Sequence, residues 1–172
     1  MGLKKITGNI LLRKEFAIKR KRKPTVAFGS AKLVGILYNA EDAAQKQMVK
    51  RLMDFFKEQK KECVSLGYFN TKEFPAGVHD SYGHEFFNKK FLNWAGLPTH
   101  HNVANFIRQD FDFLISLDAN QPLHFLSLLA QSKAGCRVGP YSKPHAHYYD
   151  LMIDPKGADF AEETIRYLQK LG

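Results

Sequence analysis

The sequence predicts an α/β domain built on an open, mainly parallel sheet with helices on both faces. Three observations predict it. Short apolar runs rich in β-formers recur at Leu33–Tyr38, Cys63–Phe69 and Phe113–Leu117, and their unbroken apolar character suits strands buried on both sides. The first two runs flank a helical pattern, giving β-α-β order within about 35 residues, a unit that implies a right-handed crossover between parallel strands. A length of 172 residues, 44% of them hydrophobic and 25% charged, suits one ordinary globular domain.

Each element follows from its residues. Met1–Lys23 reads as a broken basic helix, weakened by Gly2 and Gly8 and ended by Pro24. Thr25–Lys32 reads as a short linker. After the Leu33–Tyr38 strand, Asn39 is the expected N-cap, with Glu41 and Asp42 in a first helical turn that favours acids. Ala44, Met48, Leu52, Phe55 and Phe56 recur at helical spacing to about Lys61, and Cys63–Phe69 is the next strand. Asn70–Lys90 carries turn signals at Pro75, Gly77 and Gly83 and no clear periodicity. Leu92–Pro98 is a turn-rich segment around Trp94. Asn102–Arg108 is a short helix, Phe113–Leu117 a buried strand ending at Asp118, and Leu123–Ala130 a helix. Cys136–Val138 and Tyr148–Ile153 are expected strands, and Ala158–Leu171 is a closing amphipathic helix. The expected organisation is a basic arm and linker over residues 1–32 and one Rossmann-like domain over 33–172.

Charge is distributed unevenly. Lys4, Lys5, Arg13, Lys14, Lys19, Arg20, Lys21, Arg22, Lys23 and Lys32 face only Glu15 in the first 33 residues, so that segment carries the entire formal charge of +9. The remainder holds sixteen bases and sixteen acids. A local run of like charge points to a polyanion partner, such as RNA, DNA or an anionic membrane, or to a solvated tail. Arg137, Tyr141 and Lys143 form a second small basic and aromatic loop that could hold a phosphate or stack a base.

Signatures of chemistry are sparse. Neither G-x-G-x-x-G nor G-x-x-x-x-G-K-[ST] occurs, and the turn after the first strand reads Asn39-Ala40-Glu41-Asp42, which opposes an anion. No G-x-S-x-G elbow is present. His145 and His147, with Asp150 nearby, resemble part of a metal site, but spacing supplies no third ligand. No cofactor and no metal is expected. Asp118 at a strand end is a functional acid or the cap of the next helix. Cys63 and Cys136 are widely separated, which suits reduced thiols in a cytoplasmic protein. No apolar run reaches the ~20 residues of a membrane span.

The stretch Phe111-Asp112-Phe113-Leu114-Ile115-Ser116-Leu117-Asp118, followed by Ala134-Gly135-Cys136-Arg137-Val138-Gly139, resembles a pattern in the N-terminal half of heptosyltransferase-like glycosyltransferases. With Leu33–Asn39, Leu92–Pro98 and Tyr149–Asp154, the chain more closely resembles a family of small uncharacterised single-domain proteins from Bacteroidota. The resemblance implies a cytoplasmic Rossmann-like domain and no established activity. Asn39–Asp42 replaces the glycine-rich loop of the transferases, and their second domain has no counterpart before Gly172, so no catalytic residue carries over.

Three functions follow as expectations. The first is a non-enzymatic binding protein whose basic arm engages RNA or a ribonucleoprotein such as the ribosome, with Arg137 and Lys143 in support. The second is a small-ligand domain, for a nucleotide or nucleotide-sugar, or a degenerate transferase. It would use Asn39, Asp118, Asn120, Tyr141 and His145 at the sheet's carboxyl edge. A protein partner, with the arm as a solubility tail, is a third.

Overall fold

The computed structural model describes residues 22–172. The expected broken helix, with Lys4, Lys5, Arg13, Lys14, Lys19, Arg20 and Lys21, lies outside the described residues. The elements run β1 Leu33–Asn39, α1 Ala43–Glu58, β2 Glu62–Phe69, β3 His84–Asn88, α2 His101–Arg108, β4 Phe113–Ser116, α3 Leu123–Gln131, β5 Cys136–Pro140, β6 Leu151–Ile153 and α4 Phe160–Gln169. The six strands form one sheet in the order β3-β2-β1-β4-β5-β6, and every neighbouring pair is parallel. This is the doubly wound, Rossmann-like order, with its direction of winding reversing between β1 and β4.

Burial explains the strand sequences. Successive side chains of a strand point to opposite faces. Val34, Ile36 and Tyr38, with Phe113, Ile115 and Leu117, pack under α1 and α4 through Val49, Leu52, Phe56, Phe160 and Leu168. Leu37 and Leu114 face the other way, onto α2 and α3 through Val103, Phe106, Phe125 and Leu129. With both faces covered, a strand can carry apolar residues at every position.

The segment before β1 is part of the body rather than a free linker. Phe28 is buried among Phe55, Phe56 and Phe113, and its N–H donates to the Leu171 carbonyl at 2.7 Å. Arg22 donates to the carbonyls of Ala134 and Gly135, and Thr25 Oγ1 donates to Gly135 O at 2.7 Å. Gly135 is required by this close approach, since a Cβ there would lie 2.7 Å from Pro24 O. Residues 22–31 therefore form a strap across the amino-terminal edge of the sheet.

Two carboxylates lock the strap. Asp112 accepts from the N–H groups of Lys32 at 2.7 Å and Leu33 at 3.0 Å and pairs with Lys23 Nζ at 2.6 Å. Burial alone would raise the Asp112 carboxyl, but the Lys23 ammonium and these amides hold it below its ordinary value. Asp150 is gripped from two sides, by Arg22 Nη2 at 2.6 Å and by Arg137 Nε at 3.1 Å.

Strand β3 is the element whose sequence hides it. His84–Asn88 is short, sits at the sheet edge and alternates imperfectly, and the crossover from β2 reaches it with no helix. Loop residue Phe74 packs edge-on against Phe69 instead, and Val78 packs against the same core cluster. Three smaller differences have local causes. The cap of α1 is Asp42 rather than Asn39, because its carboxylate accepts from Ala44 N and Gln45 N. Asp118 does not cap α3, which begins at Leu123 after Pro122 without a side-chain cap. The last strand starts at Leu151 because Lys143–Tyr148 coil into a 3-10 helix.

Replacing Asp112 by Ala removes a buried acceptor of two backbone N–H groups and the partner of Lys23. The expected cost is about 3 kcal/mol of stability. A lowered urea midpoint at unchanged slope checks it, and Asp112→Asn, which keeps one acceptor oxygen, should lose less.

Candidate functional site

Open parallel sheets place ligands beyond the carboxyl ends of their strands, at the point where the strand order reverses. Here that point lies between Asn39 at the end of β1 and Asp118 after β4, each two residues beyond the paired Leu37 and Ser116. The structure brings the edge candidates to one side of the sheet. Tyr141 follows β5, its N–H donating to Ile153 O at 2.9 Å, and its ring is largely exposed. Asn120 stands in the turn after Asp118, and its N–H donates to Asp118 Oδ1 at 2.9 Å. His145 lies in the 3-10 helix after β5, its Nδ1 3.1 Å from Ser142 Oγ. Lys143 begins that helix and is exposed. The His147 ring packs on Tyr148, with centroids 4.1 Å apart. Among the described residues, no three His, Cys, Asp or Glu side chains converge as metal ligands.

The start of α1, where such sheets hold a pyrophosphate, is occupied by the protein itself. Asp42 Oδ1 accepts from Ala44 N at 2.8 Å and Gln45 N at 3.2 Å. Gln45 folds back so that its Oε1 accepts from Asn39 N, and Asn39 Oδ1 accepts from Glu41 N. The N–H groups and dipole that would attract an anion thus already hold a carboxylate. Deeper at this edge lie the buried Ser116 Oγ, Gln121 Oε1 and Tyr149 OH; among the described residues Gln121 Oε1 has no hydrogen-bond partner, and Ser116 stands close enough to the Tyr149 hydroxyl to interact with it. Gln121 Nε2 donates to Pro140 O at 2.7 Å.

His124 opens α3 and stacks on Tyr68 at 4.0 Å between centroids, with Phe87 and Phe125 beside it. Its Nε2 is buried without a partner, and burial pushes the imidazole down to about 3. The ring is neutral at neutral pH and sits at the edge of the core, half-buried against Tyr68.

The cations near the amino edge are engaged. Arg22 and Lys23 hold Asp150 and Asp112, as described. Arg137 is only 7% exposed at its side chain, and its fork is turned onto Asp150 and toward Leu129 O. Lys32 is exposed, with its N–H on Asp112.

A groove of about 670 Å³ opens on the α1 face of the sheet. It exists because the β2–β3 crossover has no helix. The loop covers the carboxyl half of these strands with Phe74 and Val78 and leaves the amino half bare around Cys63 and His84. Its floor includes Val49, Met53 and Cys63. Exposed Lys46, Lys50 and Lys57 line its α1 side, and Asp54 and Glu62 line it as well. Lys61 closes its inner end, donating to Ala31 O at 3.0 Å with its ammonium 4.6 Å from the Phe28 ring centroid. The groove thereby adjoins the strap. Burial pushes the Cys63 thiol up to about 12, so it is no nucleophile at neutral pH.

Tyr82 stands at the rim, fully exposed. It sits in a tight turn closed by Ser81 N to His84 O and His84 N to Ser81 O, both 2.9 Å. Gly83 at φ 79° supplies the left-handed residue this turn needs. Sequence reading missed this groove. The one signal was the spacing of Lys46, Lys50 and Lys57 along α1, which alone describes any solvated helix face.

Fold and surface together define an all-parallel, doubly wound α/β protein with a self-capped phosphate position and a lysine-lined groove beside its strap. The chain belongs to a family of unknown function (DUF6913), whose model matches residues 4–171. No curated protein and no solved structure matches it.

Asp42→Ala should cost about 1 kcal/mol, the ordinary value of a lost N-cap, measured by chemical unfolding. His124 gives a pH dependence. Its folded value near 3 lies below the ordinary 6.5, so the unfolded chain binds the extra proton between them. Stability therefore falls as pH drops through that window, and His124→Phe should remove about 1.4 kcal/mol per pH unit of that fall. Unfolding curves of both proteins from pH 7 to pH 4 check it.

Proposed function

We propose that this is a non-catalytic binding protein whose basic N-terminal segment engages RNA or a ribonucleoprotein such as the ribosome, the α/β body serving as its rigid base. The observation that carries this reading is the charge partition, with all of the +9 in the first 33 residues and a neutral remainder. Such a segment neutralises phosphates and releases counterions on binding. Two structural facts support it. The root of the segment is fastened to the sheet by Asp112 and Asp150, so cations bound to RNA would be tied mechanically to a rigid body. The family match begins at residue 4 and takes in the basic segment as part of the same unit. Two free cysteines suit a reducing cytoplasm, where RNA partners are found. Among the described residues no helix is long and apolar enough to cross a membrane.

A second reading draws on the buried polar atoms Ser116 Oγ, Gln121 Oε1 and Tyr149 OH, of which Gln121 Oε1 has no hydrogen-bond partner among the described residues. They suit a small polar ligand at the carboxyl edge, in the manner of a nucleotide-sugar-binding half of a heptosyltransferase-like enzyme. Asp42 on the α1 N-terminus weighs against the phosphates of such a ligand.

The test substitutes Lys4, Lys5, Arg13, Lys14, Lys19, Arg20 and Lys21 with Gln in the full chain. Truncation at residue 24 is unsuitable, since it also removes the Arg22 and Lys23 anchors. Wild-type protein should sediment with large RNA from lysate at low salt and be released at high salt. The variant should stay at the top of the gradient. With purified RNA, the slope of log affinity against log salt should drop by up to about 5, at about 0.7 per lost phosphate contact. Equal, salt-insensitive sedimentation of both proteins would overturn the reading.

A further inference from the structure

We propose that the groove between α1 and the bare amino half of β2 and β3 is a track for single-stranded RNA, with Lys46, Lys50 and Lys57 on phosphates and Tyr82 stacking a base. This rests on the RNA reading above and names the body surface that shares the strand with the basic segment.

Four observations carry it. The three lysines are exposed and, among the described residues, make no ion pair. At 1.5 Å rise per residue they extend over about 16 Å of helix, longer than one phosphate and suited to a polymer. The floor of Val49, Met53 and Cys63 is apolar, which matches base faces. Tyr82 is fully exposed on a doubly bonded turn that fixes its backbone at the rim, and an exposed aromatic ring beside cations is the usual platform for unpaired bases. The groove also adjoins the carboxyl end of the strap through Lys61 and Ala31, while the root of the basic segment at Arg22 lies across the sheet beside β5.

Asp54 and Glu62 sharpen the choice of ligand. They disfavour a compact, highly charged group such as pyrophosphate, and they repel an acidic peptide with charge at every residue. With Lys46, Lys50, Lys57 and Lys61 against these two acids, the lining keeps a modest positive balance, which suits a strand that carries one charge per nucleotide and an uncharged ring between charges.

The experiment measures binding of the full-length protein to a fluorescein-labelled oligouridylate by anisotropy across a range of salt. Three variants, Lys46→Gln/Lys50→Gln/Lys57→Gln, Tyr82→Ala and Tyr82→Phe, are compared with wild type and with the basic-segment variant described above. The triple variant should bind more weakly, with a salt slope lower by about 2. Tyr82→Ala should weaken binding about tenfold at unchanged slope, whereas Tyr82→Phe, which keeps the ring, should bind as wild type. All four side chains that change are exposed, and matching thermal melts verify the fold.

If the lysine and Tyr82→Ala variants bind as wild type while the basic-segment variant fails, the groove proposal is overturned and the RNA reading stands. Absence of binding by wild type overturns both. If polyglutamate displaces the oligonucleotide from wild type as effectively as unlabelled RNA, the groove is a general anion surface and the proposal is likewise overturned.

Discussion

Parallel strands must be covered on both faces, and most of this structure follows from that constraint. It makes β1 and β4 apolar at nearly every position and splits the core into two clusters, one under α1 and α4 and one under α2 and α3. It also recruits the strap, because Phe28 closes the corner that α1 and α4 leave open near Phe113. Where the rule is only half met, an open groove results. The crossover to β3 lacks a helix, its loop covers half of the exposed face, and the remainder is the lysine-lined groove.

The two edges of the sheet are treated differently. At the carboxyl edge the protein supplies its own partners: Asp42 to the α1 amides and Asn120 N to Asp118. At the amino edge Asp112 and Asp150 gather Lys23, Arg22 and Arg137 and fix the root of the basic segment. Burial opposes ionisation of both acids, and their cationic partners and backbone amides overcome it, holding each carboxyl below its ordinary value. Residues 22–31 are therefore an anchored strap rather than a slack linker.

The sequence made the central fold legible because long apolar runs and 3.6-residue periodicity report local burial directly. β1, α1, β2, β4 and α3 are such segments. It hid β3, since His84–Asn88 is a short, partly polar edge strand whose identity comes only from pairing with β2. The strap was hidden too. Thr25–Lys32 contains Gly29 and Ser30 and looks like a linker, and only the distant Asp112, Gly135 and Leu171 reveal its bonds. Arg137 reads as a basic loop residue, yet Asp150, thirteen positions away, draws it into the body. The groove was illegible for the same reason: it is made by a helix that is missing, and the lysines around it resemble any solvated face.

Ultraviolet crosslinking of the full-length protein to RNA in lysate, with the crosslinked peptides mapped by mass spectrometry, tests the central claim most directly. Crosslinks confined to the basic segment and to the peptides carrying Tyr82 and the α1 lysines are the expected result. Crosslinks at the carboxyl edge around Tyr141 and His145 instead, or none anywhere, would contradict it.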